Sequence, residues 1–216
     1  MVAEATYAAL RAAARRVAEA GSLAAEALAD GRVQLEPAFT ERMLGSIDHL
    51  MNGYVDRGIQ WTSFSLTDRV RNSQEKEFGA DFAGVLDIDV ADYKVKKGFL
   101  VQARRIEPFE TMVANERRRM VKQCRKMLKH TNDAFVFLYS ITGISVVPAA
   151  VVVNATFTNP HDLKPTSLQQ FYEAHFECII GDRKISVADV TMPDTLREQL
   201  SARRLSYLKA HRSPRQ

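Results

Sequence analysis

The sequence predicts a mixed α/β (α+β) fold in one domain, from three observations. The first ~50 residues carry helical apolar spacing, the pattern changes at Gly79 to two strand-like runs joined by a short polar turn, and a helical stretch then leads to two more strand-like runs. Residues 3–29 are alanine-rich with Leu10, Val17, Leu23 and Leu28 among Glu and Arg, which reads as one helix or two separated at Gly21-Ser22. Pro37 at a first-turn position opens a second helix, where Phe39, Met43, Leu44, Ile47, Leu50 and Met51 recur at helical spacing. Residues 58–66 are short and aromatic, and Thr67 is a candidate cap for a helix through Arg71 to about Lys76.

After Gly79, Phe82, Leu86, Ile88 and Val90 alternate loosely with Asp81, Asp87 and Asp89. A turn at Ala91-Asp92-Tyr93-Lys94 leads into a second run from Val95 to Ile106, so the two form a hairpin. Pro108 ends that strand. A helix from about Thr111 to His130 follows, with Met120, Cys124, Met127 and Leu128 as its apolar stripe. Residues 134–140 and 144–153 read as strands, residues 168–176 as a helix, Gly181-Asp182 as a turn and residues 194–210 as a final helix. No internal repeat or linker appears, so the expected organisation is a single domain over 1–216: a helical packing or assembly segment at 1–57, a core at 58–155 and a helical segment at 156–216.

The 216 residues, 46% hydrophobic and 26% charged with ten Gly and seven Pro, are ordinary for a folded chain and argue against disorder or a rod. The longest apolar run, around Ser145 to Val153, is interrupted by Pro148 and falls short of the roughly 20 residues of a membrane span. The N-terminus lacks the order of a signal peptide, and two cysteines make no disulfide framework, so the expected setting is cytoplasmic with no membrane partner. The net charge is only +4, but it is concentrated. Between Arg104 and Lys129 nine Lys/Arg face three Glu, and the last sixteen residues hold five Lys/Arg and no acid. Clustered cations of this kind favour a phosphate-bearing partner.

A hairpin turn centred between Asp92 and Tyr93 puts Val90 opposite Val95, Ala83 opposite Gln102 and Asp81 opposite Arg104. Gln102 and Arg104 then share a sheet face with Asp81, while Phe99, Val101 and Ala103 point the other way. A register shift of two residues preserves this gathering and a shift of one destroys it. Asp87 and Asp89 lie on the Asp81 face but about 20 and 26 Å along the strand, too far to share a site. Glu75 can approach through the short Phe78-Gly79-Ala80 connection, with Glu77 as the competing carboxylate. Two carboxylates and an amide carbonyl suit a hard ion such as Mg2+ or Mn2+; the Cys/His pairs that Zn2+ prefers are missing. The alternative is that Asp81 is a turn residue and that Gln102 and Arg104 decorate a solvent-facing strand side.

The string Glu75-Lys76-Glu77-Phe78-Gly79-Ala80-Asp81, a strand, a turn and Gly98-Phe99-Leu100-Val101-Gln102-Ala103-Arg104-Arg105 resembles the PD-(D/E)xK nuclease superfamily, in the branch whose last motif is QxK. The likeness spans about residues 65–150. It implies a restriction-endonuclease-like core, a central mixed sheet flanked by helices, and divalent-metal-dependent hydrolysis of phosphodiesters in DNA or RNA. Restriction or antiviral defence is the kind of role it implies. By that resemblance Asp81, Glu75 and Gln102 would hold Mg2+ or Mn2+, with Glu75 orienting metal or water. Arg104 stands where the family has lysine. A guanidinium can stabilise transition-state charge but, with a pKa above about 12, never acts as a base, so a nuclease-like fold that binds nucleic acid or a protein partner without cutting is the competing expectation. Lys96 shares the Arg104 face but is about 26 Å away, and Lys97 points to the other face.

In the following helix Arg118, Lys122, Arg125 and Lys129 are spaced four, three and four, so they are expected to form one row beside the Met120, Cys124 and Met127 stripe, and with Arg105 they are the candidate nucleic-acid contacts; Gln123 borders the row. The five histidines show no ligand or triad spacing, and Cys124 and Cys178 read as buried thiols. Trp61, Phe64 and Tyr54 can in principle stack bases, though such positions are more often core. The alanine-rich helix and the basic tail suggest assembly with a second copy or a protein partner.

Overall fold

The computed structural model describes residues 2–67, 79–186 and 204–213. In chain order these form α1 (Glu4–Ala29), α2 (Glu36–Met51), β1 (Val55–Asp56), β2 (Ile59–Thr67), β3 (Phe82–Val90), β4 (Tyr93–Arg105), α3 (Ala114–Met127), β5 (Ala134–Ser140), β6 (Gly143–Pro148), α4 (Ala149–Asn154), β7 (Thr166–Ser167), α5 (Leu168–Phe176) and β8 (Arg204–Arg212). The strands make one mixed sheet in the order β1-β2-β8-β3-β4-β5-β6-β7. Helices cover both faces. On one, α1, α2 and α5 pack Leu10, Phe39, Met43 and Phe171 against Phe82, Phe99 and Phe137. On the other, α3 and α4 pack Met120, Cys124 and Val152 against Leu100, Val136 and Leu205.

The mixed α/β class and most elements agree with the sequence reading. α1 is continuous through Gly21, where a Cβ would meet Leu168 Cδ2 of α5 at 2.5 Å, so the glycine serves close helix packing and not a break. Two segments differ. Residues 204–210, expected at the end of a helix, lie in β8, which pairs antiparallel with β2 and parallel with β3. Leu205 and Leu208 are three apart and mimic a helical stripe, but strands on both sides fill the ladder of each backbone group. The rest of that expected helix, 194–203, falls outside the described residues, as does the helix from Arg71 to Lys76. Residues 144–153 were expected as one strand; β6 ends at Pro148, which initiates α4. Proline locks φ near the helical value and suits a helix start, not a strand continuing inside a sheet.

The hairpin register also differs, by two residues. Val90 pairs with Tyr93 and Phe82 with Val101, so the turn is the pair Ala91-Asp92. The tighter turn is held from outside, since the Asp92 carboxylate accepts the Ala3 N–H at 2.6 Å and the Thr6 hydroxyl at 3.2 Å. The shift is even, so every side chain keeps its face.

Candidate functional site

β2, β4 and β5 end, and β3 and β8 begin, at the same end of the sheet, a consequence of their pairing directions. Asp81 stands there, just before β3. Its N–H donates to Val101 O at 2.7 Å, which continues the register and sets Asp81 against Gln102, not against Arg104 as the looser turn would have it. Asp81 Oδ2 accepts the Ala103 N–H at 2.7 Å and the Gln102 side-chain Nε2–H. Both residues are buried, Asp81 at 8% exposure and Gln102 at 0%. Gln102 Nε2 also donates to Ala103 O at 3.1 Å, which fixes the orientation of the amide, and Gln102 Oε1 is left buried without a hydrogen-bond partner. A buried acceptor with no donor carries a desolvation cost of about 1–3 kcal/mol, which a cation or donor arriving beside it removes.

Arg104 lies on the same face and is fastened on three sides. Its guanidinium donates to Gln123 Oε1 on α3, to Ala103 O at 2.9 Å and to Glu36 Oε1 at 3.2 Å. The other Glu36 oxygen accepts the Arg105 N–H at 3.1 Å. Glu36 is the site residue that sequence reasoning missed. In sequence it is an acid in the first turn of a helix beside Pro37, where a favourable dipole interaction accounts for it, and nothing local announces a partner 68 residues away. Gln123, placed near the site by its position beside the basic row, does reach it.

Gly79 sets how closely the chain approaches α3. Its φ is +76° and a Cβ there would stand 2.7 Å from Gln123 O and 3.1 Å from Lys126 Cβ, so glycine satisfies both the left-handed conformation and the close contact. On the other face of the sheet, the Tyr139 hydroxyl is within 3.1 Å of the Thr40 hydroxyl. Burial pushes the Tyr139 phenol up, with the Asp81 and Glu36 carboxylates adding in the same direction, so it stays protonated. Burial also pushes the Cys124 thiol up to about 12, against the opposing influence of the Arg104 guanidinium, and it is an inert core thiol, whereas Cys178, expected to be buried as well, is exposed.

Glu75 and Glu77 lie outside the described residues. Among the described residues no cluster of three or more His, Cys, Asp or Glu is placed to hold a metal ion, so Asp81 with Gln102 is the described part of the candidate donor set. Neither neighbouring lysine reaches it: Lys96 pairs with Asp87 at 3.2 Å, and Lys97, buried, donates to Ile180 O at 2.7 Å. Burial lowers the Lys97 pKa.

Arg118, Lys122, Arg125 and Lys129 are all exposed, as is Arg105. At 100° per residue Arg118, Lys122 and Arg125 lie opposite the buried Met120, Cys124 and Met127 and not beside them, so they face solvent away from the sheet, while Lys129 lies beyond the end of α3 and Arg119 shares the Gln123 flank. Arg119 also lines, with Glu36, Arg104, Arg105, Glu110 and Glu116, a cleft of about 470 Å3 beside the site. Of the aromatic candidates, Trp61 is wholly buried against Phe176 and Phe64 stacks on Tyr207 at 4.7 Å, while the Tyr54 ring lies 4.6 Å under Arg16. No helix of the described residues is long and apolar enough to cross a membrane. No known protein-family model, curated protein or solved structure matches the chain.

Proposed function

We propose that the chain is a divalent-metal-dependent endonuclease of the PD-(D/E)xK type, hydrolysing phosphodiesters of DNA or RNA. The observation that carries this reading is the buried pair of Asp81 and Gln102, whose Oε1 is an acceptor without a donor, on the same strand face as Arg104. A carboxylate and a carboxamide oxygen are the hard donors that Mg2+ or Mn2+ takes, and the resemblance adds a third from outside the described residues, Glu75 with Glu77 as the competing carboxylate. When bound, the ion supplies Lewis acidity toward a phosphate oxygen. Asp81 and Gln102, both buried, would hold it. Arg104, braced by Glu36 and Gln123, presents fixed positive charge where negative charge develops in the transition state, without having to reorganise during the reaction. Arg105 and the exposed row on α3 supply the electrostatic attraction for the nucleic-acid backbone.

One observation favours a second reading, a nuclease-like subunit that binds nucleic acid or a protein partner without cutting. Arg104 occupies the lysine position and cannot act as a base, and its donors are engaged by Glu36, Gln123 and Ala103. The two readings separate on incubation of the purified protein with plasmid and linear nucleic acid in Mg2+, Mn2+ or EDTA. Metal-dependent cleavage that is abolished in Asp81→Ala, with binding retained, supports hydrolysis. Salt-sensitive binding with no cleavage in any metal supports the second reading, and normal cleavage by Asp81→Ala overturns the site.

A further inference from the structure

The cleft beside Arg104 is walled on one side by the loop that joins β4 to α3, and that loop is unusually well braced for a surface segment. Buried Asn159 donates through Nδ2 to Glu107 O at 2.8 Å and to Glu110 O at 2.6 Å. The Met112 N–H donates to Thr158 O at 2.9 Å, and the Glu107 carboxylate accepts the Ile141 N–H at 3.2 Å. On this fixed loop Phe109 is 80% exposed and Val113 62% exposed, and Leu35, next to Glu36 on the opposite wall, is 70% exposed. A mobile loop could fold a phenylalanine inward; here the bracing holds the ring in water. Their chain neighbours Glu36, Glu110 and Met112 line the cleft, which sets these three exposed apolar residues at its edge.

The charge around the rim selects the occupant. Arg104, Arg105 and Arg119 line the cleft, and Arg118 and Lys122 stand exposed on the adjoining helix. Within the cleft three arginines meet three carboxylates, Glu36, Glu110 and Glu116, with Glu36 paired to Arg104 and one Arg105 nitrogen donating to Gln34 O at 2.6 Å, so the positive excess is supplied by Arg118 and Lys122 on the adjoining helix. A ligand that offers a flat apolar face together with repeated negative charge fits both features. In a duplex the base faces are stacked on one another and meet a protruding ring only at an unstacking cost of about a few kcal/mol, whereas an unpaired strand presents them freely.

We infer that this rim binds single-stranded nucleic acid, with an unpaired base stacked on Phe109 and its flanking phosphates on Arg105 and Arg119. The inference rests on the nucleic-acid reading above and names its substrate class, a single strand or an unpaired end, in place of continuous duplex. Because binding is measured in EDTA, failure of the hydrolysis proposal leaves it standing, and its own failure leaves cleavage of duplex open.

The test is fluorescence anisotropy of the full chain with a labelled 12-nucleotide single strand, as DNA and as RNA, and with the corresponding duplex, in EDTA at two salt concentrations. The expected result is single-strand binding, to one sugar type or both, at least tenfold tighter than duplex binding. Phe109→Ala is expected to weaken it about tenfold, within the range of one lost stacking contact, and Phe109→Trp to retain it. Phe109 is exposed and Phe109→Ala removes no core contact, which thermal melting of the variant checks. Equal affinity for single strand and duplex, single-strand affinity indifferent to Phe109→Ala, or no single-strand binding overturns the inference.

Discussion

At the scale of single residues, the site depends on one buried amide, Gln102, whose oxygen is left unsatisfied. Gln102 is wholly inside the protein, ties Asp81 with one end of its amide and leaves the other end without a donor. A role confined to packing would be served equally well by leucine or methionine. Gly79 contributes by what it lacks. Gly79→Ala should destabilise the fold by about 1–3 kcal/mol, since it combines a left-handed φ with a Cβ driven against Gln123 O, and urea unfolding measures it. Arg104→Lys replaces a fixed fork by a compact ammonium with a titratable proton. Its expected effect is a faster metal-dependent cleavage rate, and a slower one would show that the guanidinium is the better group for this chain.

Among the secondary-structure elements, the hairpin was legible because its side-chain period is two. The pairing in the structure is two residues away from the one that a longer turn implies, and Asp81, Gln102 and Arg104 still share a face. β8 was not legible. It lies between β2 and β3 with both faces covered, so Leu205, Tyr207, Leu208 and Ala210 are all buried and the alternation that marks a half-exposed strand is absent. Element α5 carries a pH prediction. Burial is the main cause that pushes the His175 imidazole down to about 3, with the Lys97 ammonium acting in the same direction, so the folded state keeps it neutral. The unfolded chain takes up that proton near the ordinary value of about 6.5. Stability attributable to His175 is therefore complete above about pH 6.5 and falls at about 1.4 kcal/mol per pH unit as the pH drops toward 3. Denaturant midpoints between pH 4 and 7 should show this slope, and a conservative apolar replacement, His175→Phe or His175→Leu, should flatten it if it folds.

Over the whole molecule, the helices that precede the sheet are more than a packing layer. α2 begins with Glu36, whose carboxylate holds the Arg104 side chain and the Arg105 backbone, so the N-terminal layer is joined to the end of the strand that carries the site. That link spans 68 residues of sequence and pairs charges that each have ordinary local explanations, which is why the sequence shows Asp81, Gln102 and Arg104 but hides Glu36. Glu36→Ala should leave the α/β core folded, since neither hydrophobic layer on the sheet includes it, while loosening Arg104. The expected outcome is lower cleavage with a melting temperature within a few degrees of the parent, and Glu36→Gln should recover part of the loss because it can still accept from the guanidinium. The hydrolase reading requires that Asp81 and Gln102 hold a cation. Titration of Mn2+ into the protein, followed by electron paramagnetic resonance, should show binding that Asp81→Ala abolishes and Gln102→Ala weakens in folded protein. Mn2+ binding that is absent in the parent, or unchanged in Asp81→Ala, would contradict it.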